Sequence, residues 1–400
     1  KASTLTYNAS TGKFTGTVYY TAETDVLQAY VKDKNASSAV TFDTATGTVT
    51  VNLQNQDGTY ADALRHDLLK TTTGISSLRT SAAMTFARTM AFAKFTFNKG
   101  NGVNATKVSL QASNAASMYS TLKYNLSDGS SVSSGTIAGA PSATIQATGT
   151  TYLAFPAGSY TGLAVHTNYT YSSLPFLSVH TLAAGSYNYQ PSKYYTKTGL
   201  NVSYGIGDFL CNGSGYPIAI VFMTSTTDID SQNYSKGYAL ALQDASSSSI
   251  WGSWASIGQT INENYTDYDG LTWYETYQST AGINLPIAFT ISNYGNALSN
   301  TSHWYLPTIG QWAKIVENLG GLNDPLITND AITWSANNVS AINSRMALSN
   351  ASTDLSGIYW TCNEATTYNL VYSINFSGAN TVISGTDSNS NCKVRSVIAF

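Results

Sequence analysis

The stretch His303–Gly321, HWYLPTIGQWAKIVENLGG, decides how the second half of this sequence is read. Pro307 stops the extended segment before it, since proline has no N–H for a strand ladder. Thr308, followed three residues later by Gln311, is a capping box. The hydroxyl accepts from an otherwise orphaned backbone N–H while the glutamine reaches back. Ile309, Trp312, Ile315, Val316 and Leu319 then recur at helical spacing and make one apolar face. Gly320–Gly321 supplies the left-handed backbone that ends a helix. The pattern predicts a packed amphipathic helix that serves as scaffold, with any binding surface in the loops around it.

Little else in the chain is so helical. NNVSAINSRMAL predicts a second helix with Val339, Ile342 and Met346 inward, and LTWYETYQ after Gly270 a weaker third. The N-terminal part reads as strands: TGTVYY (Thr15–Tyr20), VLQAYV (Val26–Val31) and VTFDTATGTVTVNL (Val40–Leu53), the last broken by a glycine turn as in a hairpin. Met84–Phe97 alternates through Met84, Phe86, Met90 and Phe92, then changes phase to Phe95 and Phe97, which predicts a bulge or a domain junction. FPAGSYTGLAV from Phe155 and LAAGSYNYQP from Leu182 read as glycine turns feeding edge strands, and SKYYTKTGL near Pro191 as a linker. PIAIVFM (Pro217–Met223) is the longest apolar run. It is far short of the ~20 residues of a membrane span and reads as a buried strand.

Composition narrows the function classes. The chain has 400 residues, enough for two or three domains. Only 10% of residues are charged, against about 25% in a typical soluble protein. Ser, Thr, Asn, Gly and Tyr fill the gap, as in extracellular β-rich proteins. Nineteen basic and 22 acidic residues give a net charge of −3 without a basic run, so nucleic acid and anionic lipid are not indicated as partners. The chain opens on KASTLTYN, with neither an initiator Met nor an apolar signal core. An export signal is expected to have been removed.

No nucleophile elbow, P-loop or HExxH motif is present, and His66, His166, His180 and His303 are not spaced to share a metal. ENYTDYDG supplies Glu263, Asp267 and Asp269, and TTDIDSQN supplies Asp228 and Asp230. Calcium is the ion such loops would take, but both lack the EF-hand spacing and read as polar loops with Asx turns. No cofactor is assigned. The three cysteines are Cys211, Cys362 and Cys392, and a Cys362–Cys392 disulfide is open if their strands are neighbours. Tyrosine (28) and tryptophan (7) are the richer signal, because exposed aromatics offer a flat apolar face with a polar tip. The candidate ligand-binding residues are Trp251, Trp254, Tyr265, Asp267, Tyr268, Asp269 and Trp273, about half of the aromatics among them being expected in the core, together with Trp312, Trp334 and Trp360.

GIGDFLCNGSGYPIAIVF, KGYALALQDAS, HWYLPTIGQWAKI, IYWTCNEATTYNLVYSINF and KVRSVIAF follow one another in the order seen in lectin-like C-terminal domains of Bacteroidetes surface proteins. Those domains are similar to the C-type-lectin and formylglycine-generating-enzyme folds. MTFARTMAFAKFTFNKGNGVNATKVSLQA resembles the segment joining the two β-sandwich domains of fimbrillin-type pilins. The resemblance implies two all-β, transthyretin-like sandwich domains, 1–85 and 86–190, followed by an α+β C-type-lectin-like head, 191–400. It implies a cell-surface fimbrial tip or accessory subunit, not an enzyme, with other fimbrial subunits as partners through strand complementation and a glycan or protein ligand for the head. VRSVIAF reads as a core strand, so the subunit is expected to accept a strand without donating one. The calcium-and-sugar motifs EPN and QPD of true C-type lectins are missing, and Cys362 stands where a serine is usual in the YWSSTE-like block. No catalytic residue is transferred. A structural stalk pilin and a formylglycine-generating-like enzyme are the alternatives.

Overall fold

The computed structural model describes residues 5–11, 13–15, 28–33, 35–36, 38–72, 84–112, 118–133, 136–182, 185–227, 233–279 and 298–400. The expected strand Thr15–Tyr20 beyond its first residue, the start of VLQAYV, and the acids Asp228 and Asp230 lie outside these. The protein is β-rich and divides into two compact units. The first is Lys1–Lys99, Ala105–Thr167 and His180–Val202; the second is Gly100–Asn104, Asn168–Val179 and Ser203–Phe400.

In the first unit, strand Met90–Lys99 pairs antiparallel with Thr150–Pro156 and parallel with Tyr194–Val202. Its central position explains the phase change read in the sequence. Met90, Ala91, Phe92 and Ala93 are all buried, so both faces of the strand are covered, and only from Lys94 onward does one face become partly exposed. The antiparallel register runs unbroken from Met90 to Thr96, so no bulge interrupts that pairing. The irregularity lies in the other pairing, where the parallel register with Tyr194–Val202 shifts between Lys197 and Leu200, opposite Phe95 and Phe97. The Val40–Leu53 stretch forms the expected hairpin, Val40–Asp43 against Thr48–Asn52, and the second strand also pairs with Tyr119–Asn125. Val40, Val49, Val51, Leu68, Met90, Phe92 and Leu122 share its core.

One reading changes and one holds. SKYYTKTGL is not a linker: it lies mostly in strand Tyr194–Val202, which is long enough to run beside Met90–Lys99. The two AGSY phrases contribute strands Gly158–Thr161 and Ser186–Tyr189, which pair with each other, Tyr160 opposite Tyr187.

In the second unit, PIAIVFM is strand Pro217–Met223, between Phe209–Cys211 and Tyr238–Ala241, and Val397–Ala399 pairs on the far side of the last. A second sheet is built on Ile358–Glu364, Leu370–Asn375 and Val382–Asp387, with Cys392–Val394 parallel to the first. Helix Ile309–Asn318 forms as predicted, with both halves of the Thr308–Gln311 capping box made. Its apolar face is fully covered, Ile309, Trp312, Ile315 and Leu319 being 0% exposed. Gly321 ends it with φ 73°. The other predicted helices are Val339–Ala347 and Gly270–Ser279. Among the described residues no helix is long and apolar enough to cross a membrane.

Cys362 and Cys392 do lie on neighbouring strands, but no disulfide forms; all three cysteines are free and buried. Tyr359 stands opposite Lys393 in the parallel register. Cys362 is three residues beyond that pair and Cys392 one residue before it. At ~3.3 Å per residue the offset exceeds the ~7 Å Cα reach of a disulfide.

Arg395 is the charged group buried at the junction of strands Cys392–Val394 and Val397–Ala399, 0% exposed. Its Nε lies 2.8 Å from Asp244 Oδ1, Nη1 donates to Ala241 O at 3.3 Å and Nη2 to Thr353 O at 3.0 Å. Burial pushes the Asp244 carboxyl up, and Arg395 pulls it back toward the ionised form. Arg395→Ala strands that carboxylate and two carbonyls, so urea unfolding should show a loss of about 3–5 kcal/mol. The double variant R395M/D244N should recover a large part of it; an unchanged midpoint for R395A would remove the guanidinium from its structural role.

Candidate ligand-binding site

The loop 251–258 is shaped by one carboxylate. Glu364, at the end of strand Ile358–Glu364, is 0% exposed. It accepts from the backbone N–H of Ala255, of Ile257 at 3.2 Å and of Ser256. Burial pushes its carboxyl above the ordinary value, and the three N–H groups oppose that shift. Wrapped in this way, the loop holds Trp254 half-buried, its Nε1 donating to Ala365 O at 3.4 Å. Trp254 meets Tyr368 edge to face, with ring centroids 5.0 Å apart and planes at 79°. Tyr368 occupies the turn between Ile358–Glu364 and Leu370–Asn375, a turn closed by Ala365 N donating to Leu370 O, and is 77% exposed. The two rings form an aromatic ledge on a backbone fixed from beneath.

The other nominated residues are engaged by the fold. Trp251 is not on the surface: it is 1% exposed, because its Nε1 donates to Thr361 O at 3.1 Å and its ring abuts Tyr277. Trp312, Trp334 and Trp360 are core, as read. Asp267 accepts from Trp273 Nε1 and, at 2.8 Å, from Asp269 N, while its carbonyl accepts from Thr308 Oγ1 at 2.7 Å. Asp269 accepts from Thr227 Oγ1. Tyr268 offers its carbonyl to Gln311 Nε2 at 2.9 Å, and Tyr265 donates to Glu317 at 2.9 Å. Trp273 tilts against Tyr277 with centroids 6.1 Å apart. The 265–269 loop therefore seats the N-terminus of helix Ile309–Asn318.

These acids are committed to N–H and O–H donors. Glu263 is committed too, closing a capping box with Thr260. Among the described residues no three His, Cys, Asp or Glu side chains converge as a metal would need. The thiols are not activated: burial pushes Cys392 to about 11, Cys211 to about 12 and Cys362 well above its ordinary value.

Tyr368 was missed by sequence reasoning, because ATTYNLVY reads as part of a strand. The signal was the ATT segment, three small residues before the tyrosine, which suits a turn better than a ladder.

No family model and no curated protein matches the chain. Among solved structures it is similar to a fimbrial protein from Bacteroides ovatus, at 11% identity over 86% of this chain and 78% of that one, with a TM-score of 0.35. It is also similar to a "putative cell adhesion protein" from Bacteroides uniformis, at 18% identity over 47% of this chain and 75% of that one, with a TM-score of 0.30. At that level of likeness, what the chain does has to be argued from its own residues.

Two variants test how the face is built. Gly310 leaves room for the 265–267 backbone, a Cβ there lying 2.4 Å from Asp267 O and 2.9 Å from Tyr265 O. Gly310→Ala should cost about 1–3 kcal/mol in chemical unfolding by overpacking. Glu364→Ala should cost about 2–3 kcal/mol by leaving loop N–H groups unpaired. It should also remove hydrogen-exchange protection at Ala255 and Ile257; retained protection there would mean the loop does not depend on the carboxylate.

Proposed function

We propose that the chain is a non-enzymatic surface adhesion protein of the fimbrillin type, exported to the cell surface, whose second unit is a lectin-like head that binds glycan at the Trp254–Tyr368 ledge. The observation that carries this reading is the ledge itself. One ring is largely exposed, the other is held by its N–H on the backbone, and both sit on a loop and turn fixed by hydrogen bonds to the Glu364 carboxylate and within the turn. Preorganised aromatics lose little entropy when a sugar ring stacks on them, and their polar tips meet hydroxyl groups.

Supporting the head assignment, the five sequence blocks that resemble lectin-like domains fall on packed elements of the second unit. Among them are strands Pro217–Met223 and Tyr238–Ala241, helix Ile309–Asn318, and strands Ile358–Glu364 and Val397–Ala399. The first part of the chain, read as two pilin-like sandwiches over 1–85 and 86–190, would be the base that accepts a strand from a neighbouring fimbrial subunit. Val397, Ile398 and Ala399 are 0% exposed and ladder with Tyr238–Leu240, so that strand is part of the second unit's core.

A glycan array probed with the full chain tests the reading. Tyr368→Ala and Trp254→Ala should each weaken the best glycan signal about tenfold, the equivalent of roughly 1.4 kcal/mol. Y368A should leave the thermal midpoint in place, since most of that ring is in solvent. An array without hits, or hits that survive both substitutions, would refute the ledge as the binding surface.

A further inference from the structure

A concavity in the second unit is lined by none of the ledge residues. It has a volume of about 360 Å³ and is walled by strand residues Ser178 and Val179, the loop Ile206–Asp208, and Arg345 and Leu348 from helix Val339–Ala347 and its end. That volume is at the lower end of small-ligand sites, which run from about 300 to 1,000 Å³.

Its chemistry is asymmetric. Two aliphatic side chains stand open on its rim, Ile206 at 43% and Leu348 at 37% exposed. Arg345 is exposed and makes one hydrogen bond among the described residues, Nη1 to Asn318 O at 3.4 Å. A guanidinium carries five N–H donors, so most of its donor capacity is unspent. The same nitrogen lies 4.0 Å from where a Gly207 Cβ would stand, which places the charge against the cleft backbone. Asp208, by contrast, is 7% exposed and already serves the fold, accepting from Tyr169 Oη at 2.8 Å and from Ser178.

We propose that this cleft binds a small aliphatic carboxylate, with Arg345 gripping the carboxylate and Ile206, Leu348 and Val179 covering the apolar body. The planar fork of arginine matches a carboxylate through two parallel hydrogen bonds, which an ammonium cannot reproduce. The apolar rim selects the body. A carboxylate of this kind is found at the end of a peptide that closes on a branched aliphatic residue; a sugar acid has the same charge on a polar ring.

Asp208 makes the site sensitive to pH. Burial pushes its carboxyl up to about 6. Tyr169 and Tyr204 are raised above the ordinary phenol value by burial and Cys211 is pushed to about 12, leaving Arg345 as the charged neighbour across the cleft. Above pH 6 the Asp208 carboxylate repels an incoming anion. Below it the protonated group does not, so binding should tighten on acidification.

The experiment is a chemical-shift titration of the full chain with N-acetyl-L-leucine, N-acetyl-L-leucinamide and glucuronate, at pH 7.5 and pH 5. N-acetyl-L-leucine should shift the amides of Gly207 and Arg345, and the uncharged amide should bind about tenfold more weakly or worse. Arg345→Ala should abolish binding and R345K should restore only part of it. Asp208→Asn should equalise affinity at the two pH values. Equal binding of acid and amide, or full binding by R345A, would overturn the carboxylate assignment. Glucuronate binding as tightly as N-acetyl-L-leucine would overturn the aliphatic half. Because R345A alters an exposed helix position, its fold can be verified from the unchanged remainder of the spectrum, and an absence of shifts with all three probes would overturn the proposal outright.

Discussion

The buried polar seat of helix Ile309–Asn318 is the constraint on which the second unit depends. Thr308 and Gln311 are 0% exposed and Asn363 2%. Between them they take up three donors at the helix N-terminus, the N–H groups of Thr308, Ile309 and Gln311. Thr308 Oγ1 accepts from Gln311 N at 2.9 Å and donates to Asp267 O, Gln311 Nε2 divides itself between Tyr268 O and Tyr305 Oη, and Ile309 N donates to Asn363 Oδ1 at 2.8 Å. A helix end buried without such partners would cost several kcal/mol in lost hydration. Meeting that demand recruits the 265–269 loop, the strand that ends at Glu364, and Tyr305 at once. Function then has to use what this network leaves free.

What it leaves free is mostly aromatic. The acids of ENYTDYDG, attractive as ligands when read alone, are spent on Thr260, Trp273, Asp269 N and Thr227, while the backbone carbonyls of Asp267 and Tyr268 bear on the helix seat, so the loop that looked like a binding element is a bearing surface. The Glu364 carboxylate performs the equivalent service for the loop 251–258, gathering backbone N–H groups and thereby presenting Trp254. A rigid scaffold carrying loops is a common arrangement for recognition, since order is provided before the ligand arrives.

The sequence shows clearly what is local. The capping box, the apolar stripe and the glycine stop of His303–Gly321 all involve residues within a few positions of one another, and each formed as read. So did the Val40–Leu53 hairpin. Register was hidden, because a parallel pairing such as Tyr359 with Lys393 depends on how whole strands slide, and that shift separates Cys362 from Cys392. Partnership across the chain was hidden too. The two AGSY strands find each other, and Arg395 enters the core because Asp244, Ala241 and Thr353 meet there. Trp251 and Trp254 are three residues apart with similar neighbours, yet one is core against Tyr277 and the other half-buried beside Tyr368.

The measurement that bears most directly on this account is oxidative footprinting of the full chain, free and adhering to a glycan-coated surface. The account predicts that Trp254 and Tyr368 oxidise more slowly in the bound state, while Tyr265, Tyr268 and Trp273 oxidise at the same rate in both. Protection of the 265–273 aromatics with Trp254 and Tyr368 unaffected would contradict it, and would return the binding surface to the loop that the helix seat occupies.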